Sequence, residues 1–141
     1  MDPAIWAQAH GATVHFPLAL ALGSGALDAA AFALGARPFS RDLHAAGYWM
    51  MVVGALGSVP AVVSGLLMTK GSLLGHGALR LHHLFVWPAF ALLVALATWR
   101  VCTGQQRATR RMFAAYLVVV GLAAGLISAA GYWGGEMMIA R

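Results

Sequence analysis

Apolar residues run in four long blocks separated by short polar connections, at about 12–35, 44–69, 81–101 and 111–135. Each block reaches the ~20 residues that a helix needs to cross a ~30 Å hydrocarbon core. The pattern predicts an all-α fold, an integral membrane four-helix bundle forming a single transmembrane domain over residues 1–141. Asp2 and Pro3 read as an N-cap followed by proline at the first helical position, so a turn or two of helix is expected before the first block. Gly11 and Pro17 are expected to bend or break it, and Pro60 and Pro88 to kink the second and third spans.

The connections carry Arg37, Pro38 and Arg41; the glycine-rich run from Lys70 to Arg80; and Gln105, Gln106 and Arg107. Connections this short make successive helices antiparallel neighbours. The second block stacks Gly54, Gly57, Ala61 and Gly65, and the fourth stacks Gly121, Gly125 and Ser128. Small residues at helical spacing let backbones approach, so both stripes are expected to carry helix contacts.

Composition agrees, since 61% of the 141 residues are hydrophobic and 9% are charged, with a mean hydropathy of +0.78. A soluble domain of this size cannot hide so much apolar surface. The pI near 10.4 does not point to nucleic acid, because the basic residues are scattered between apolar blocks without an aromatic–basic patch. They report topology instead. Arg37, Arg41, Arg100, Arg107, Arg110 and Arg111 map to one face, and Lys70, Arg80 and Arg141 to the other. The richer face is read as cytoplasmic, which places both termini on the outer, periplasm-like side. No basic n-region precedes the first apolar run, so that helix is expected to serve as its own insertion signal. Trp6 and Trp133 near one interface, with Trp49 and Trp99 near the other, suit aromatic belts.

Six histidines in so apolar a chain are the candidate chemistry. His10, His15, His76, His82 and His83 map to the end that holds the termini, and His44 to the opposite end. His15 shares a face with Gly11, Ala12, Ala19, Gly23 and Ala26. His82 and His83 point about 100° apart, so one of them faces the bundle centre. Imidazoles from two facing helices can hold a b-type heme iron from both sides. On this reading His15 and either His83 or His82 are the axial ligands. Arg80 and Lys70 pair with propionates, while His10 and Glu136 are supporting or proton-handling groups. With one cysteine, Cys102, and no CxxCH, one non-covalent heme b is expected. His76 and His44 are read as structural, His44 with Asp28 and Arg41 in reach across the first connection. Met50, Met51, Met137 and Met138 are read as apolar filler.

The opening His10-Gly-Ala-Thr-Val-His15-Phe16-Pro17, the His82-His83 pair and Gly131-Tyr-Trp-Gly-Gly-Glu136 resemble a bacterial four-helix membrane family, domain of unknown function 2231. Gly11 stands where that family has proline after the first histidine. Fusion of some relatives to Rieske-type iron–sulfur domains, and the occurrence of others with c-type cytochromes, imply a redox setting by association. The function expected is a b-type cytochrome-like electron-transport subunit of a larger respiratory or photosynthetic complex. It would relay electrons between quinone or a neighbouring cofactor and a periplasmic cytochrome or iron–sulfur protein, without catalysis by this chain alone. Expected partners are membrane lipid and other membrane subunits of that complex. Two rivals remain: a non-heme metal-binding protein using His10, His15, His82, His83 and Glu136, and a cofactor-free anchor subunit.

Overall fold

The computed structural model describes residues 3–104 and 109–139, apart from the side chains of Pro3, Met138 and Ile139. Asp2, Gln105, Gln106, Arg107, Arg141 and the Met138 side chain therefore lie outside the described residues. The described residues form four helices: α1 (Pro3–Leu34), α2 (Pro38–Met68), α3 (Gly77–Thr103) and α4 (Arg110–Ile139). All four are long and apolar enough to span a membrane. They exceed the apolar blocks because residues flanking the blocks continue the same helices.

Proline leaves the helices unbroken. Pro17, Pro60 and Pro88 all lie inside continuous helix, correcting the expected break at Gly11 or Pro17 in α1. Each proline removes one backbone donor. In a nonpolar medium no extended alternative satisfies the remaining groups, so the helix persists around the defect.

Local sequence sets the first turnaround. Gly35 ends α1 with φ +64°, the left-handed cap that glycine adopts freely, and its N–H bonds Ala31 O at 3.2 Å. Pro38 then starts α2 from an extended Arg37. The Ser40 hydroxyl donates back to Ala31 O at 2.9 Å, tying the two helix ends together.

The helices pack as two antiparallel hairpins. The α1–α2 contact is the most extensive and α3–α4 is next, while α2–α3 and α1–α4 join the hairpins more lightly. Thus α1 and α3 stand diagonally. Glycines of α2 make the first hairpin close: Gly54 faces Pro17, Leu20 and Ala21, and Gly57 faces Phe16. The α4 stripe behaves differently. Added Cβ atoms at Gly121 or Gly125 would meet nothing within 4 Å, and Ser128 is exposed. This corrects the expectation that the stripe packs the bundle; α4 buries Phe113, Tyr116, Val120, Ala123 and Ala130 instead. The apolar core, including Ala21, Met51, Ala55, Leu93 and Leu96, lies between the end holding the termini and the end holding the α1–α2 and α3–α4 connections. The latter is called the loop end below.

Candidate functional site

Two polar clusters lie on either side of this apolar core. The first, at the end with the termini, contains the histidines. His10 of α1 turns toward α2, where its Nδ1 lies 2.8 Å from Ala61 O and 3.3 Å from Ser64 Oγ. A carbonyl only accepts, so Nδ1 carries the proton, and in the neutral ring Nε2 keeps a free lone pair. The ring seats beside Gly65, where an added Cβ would come 3.0 Å from His10 Cε1.

His82 repeats this arrangement in the other hairpin. Its Nδ1 donates to Ala130 O of α4 at 2.7 Å, and Gly134 lies beside the ring. The same tautomer follows, again with Nε2 free. His10 and His82 come from the diagonal helices α1 and α3.

His83 is buried, with its ring centroid 5.7 Å from that of His82 and 6.0 Å from that of Trp87. Its Nδ1 is buried without a hydrogen-bond partner. Trp87 Nε1 donates to Leu73 O at 2.7 Å, pinning the α2–α3 connection over this end.

The remaining sequence candidates are placed as follows. His15 is exposed on the outside of the bundle, about 140° around α1 from His10 by helical geometry. Arg80, Lys70 and His76 are exposed at the same end, and Glu136 is half-buried near the end of α4. Among the described residues, no three of His, Cys, Asp and Glu converge as ligands for a metal ion. In the His10 and His82 rings the Nδ1 bond to a backbone carbonyl fixes the tautomer, so Nε2 is the atom that carries the lone pair.

The second cluster, at the loop end, draws one residue from each helix. Asp28 of α1 is fully buried. His44 Nδ1 of α2 lies 3.0 Å from Asp28 Oδ1, Arg100 Nη2 of α3 lies 3.3 Å from the same oxygen, and Tyr116 of α4 donates to Oδ2 at 2.9 Å. Arg100 Nη2 also donates to His44 O at 2.9 Å. The guanidinium lies between the rings of Tyr48 and Tyr116, 5.6 and 5.2 Å from their centroids. Asp28 was legible as a partner of His44; Arg41 is exposed and takes no part. Arg100 corrects its reading as a surface topology charge, since it is 1% exposed. Its position in the last turn of α3 resembles that of an interfacial residue, and only the direction of its side chain separates the two cases. Tyr116 lies among apolar α4 residues with no polar neighbour in sequence to mark it.

No curated protein and no solved structure matches the chain. The family described as predicted membrane protein (DUF2231) matches residues 7–140. That range takes in His10, the His82–His83 pair, the loop-end cluster and nearly all of the four spans, and the chain belongs to this family.

Proposed function

We propose that the chain is a b-type cytochrome-like membrane subunit, with His10 and His82 as the axial ligands of one heme. In this reading it relays electrons between quinone or a neighbouring cofactor and a periplasmic redox partner. The supporting observation is the matched pair of imidazoles, each holding its proton on Nδ1 against a backbone carbonyl and leaving Nε2 free. Those carbonyl bonds fix the tautomer and orient each ring toward ligation. Gly65 and Gly134 let the two rings seat closely against α2 and α4. Arg80 and Lys70, exposed at the same end, are suited to propionate carboxylates. When bound, heme supplies reversible one-electron chemistry. The bacterial inner membrane, with termini on the periplasmic side, is the orientation favoured by the distribution of basic residues.

The direct test is heme content and the reduced-minus-oxidised visible spectrum of purified alanine variants at positions 10, 15, 44, 82 and 83. Loss of heme or strongly shifted bands is expected for His10→Ala and His82→Ala, with native bands retained in His15→Ala and His44→Ala. Native heme in both the position-10 and position-82 variants would overturn the assignment. Stoichiometric metal without heme bands in the wild-type protein would support a bare-ion site instead.

A further inference from the structure

We infer that the chain pairs with a second copy of itself along the outer face of α1, with the His15 imidazoles of the two copies hydrogen-bonded to each other inside the membrane. The pairing is independent of heme, because its residues lie on the side of α1 turned out of the bundle.

α1 turns Pro17, Ala21, Ser24 and Asp28 inward, and all four are buried. The opposite side carries Ala12, His15, Ala19, Leu22, Ala26 and Ala29, all of them exposed. Their spacing alternates between three and four residues, the period of about 3.5 that keeps two helices in contact along a left-handed crossing. The outward residues of α2 differ in kind. Trp49, Val53, Leu56, Val63 and Leu67 are large and wholly apolar or nearly so, which suits a surface against lipid tails. On α1 the outward residues are mostly alanine, with an imidazole among them.

That imidazole decides what meets the face. His15 lies inside the span Ala4–Leu34 and has no hydrogen-bond partner among the described residues. Lipid tails offer none, and a polar group left unpaired in hydrocarbon is costly. A second copy supplies the partner directly. Copies inserted in the same orientation are related by a twofold axis along the membrane normal, so each residue near that axis meets its equivalent at the same depth. A neutral imidazole has one N–H donor and one bare nitrogen acceptor, so one His15 donates to the other. Ala12, Ala19 and Ala26, spaced one heptad apart, put little bulk between the two backbones and let the rings come within reach. The alanines set the separation of the helices, and the paired imidazoles set their register.

The test is Förster transfer between donor- and acceptor-labelled full-length chains in phosphatidylcholine vesicles, followed as the protein-to-lipid ratio is lowered, with the labels on the exposed Cys102. Wild type should show transfer that rises linearly with acceptor fraction, as a dimer requires. His15→Leu should weaken pairing by about threefold to tenfold, and His15→Asn, whose amide is again both donor and acceptor, should recover most of the loss. Ala19→Leu adds bulk near the axis and should leave monomers at ratios where wild type is paired, with the melting of each bundle unchanged. A monomeric wild type would give the face to lipid or to a different subunit and overturn the proposal. A dimer of full strength in His15→Leu would overturn it too. If Ala19→Leu fails to fold, the two His15 variants decide the matter.

Discussion

Arg100 of α3 meets Asp28 of α1 across the diagonal of the bundle, Nη2 to Oδ1 at 3.3 Å, with both side chains essentially removed from the surface. The two hairpins share only light contacts elsewhere, and this ion pair joins one to the other. Tyr116 and His44 complete it, so all four helices converge on one carboxylate. Its desolvation is offset by three donors and two flanking aromatic rings.

Breaking this pair from one side leaves a buried charge uncompensated. Asp28→Ala and Arg100→Met are each expected to destabilise the bundle by about 3–5 kcal/mol. The double variant should lose much less than the sum, because neither charge is then stranded. A double-mutant cycle on reversible unfolding in mixed micelles measures this; strictly additive losses would show that the two side chains act separately.

Gly47 is the α2 position against which Asp28 rests. A Cβ there would lie 2.8 Å from Asp28 Oδ1, closer than van der Waals contact allows. Gly47→Ala should cost about 1–3 kcal/mol by forcing the carboxylate from its donors, and Gly47→Val should cost more. Unfolding midpoints of the two variants check this, and stability equal to wild type would contradict the packing.

Two glycines that look alike in sequence should respond in opposite ways. Gly54→Leu places a bulky side chain against the α1 backbone and Leu20, so it should separate the first hairpin. Gly125→Leu meets open space and should leave the isolated bundle unchanged. Thermal stability of both purified variants distinguishes them, and a destabilised Gly125→Leu bundle would overturn the outward assignment of that stripe.

Helix and membrane character were readable from sequence because both depend on local quantities: run length, hydropathy and turn residues such as Gly35 and Pro38. The histidine-rich end was readable too, since alternation of short connections places the starts of α1 and α3 on one side. Which histidine faces inward was not. His10 and His15 sit five residues apart on one helix, and the small residues beside His15 resemble a packing groove. The structure uses α2 glycines for the close contact and turns His10 toward Ala61. Periodicity identifies faces of a helix, but it does not say which face meets a neighbour when nearly every position is apolar.

The sequence alone determined that the chain crosses the membrane four times, because no other arrangement satisfies four apolar blocks of that length and their backbone groups. Tertiary structure decided the rest: which glycine stripe is buried, which imidazoles share an end with free nitrogens, and that Arg100 belongs to Asp28 rather than to the surface. Each of these depends on helix rotation and on contacts between residues far apart in the chain. Arg100 and Asp28 are separated by most of two further helices, and their pairing exists only once the two hairpins have packed together.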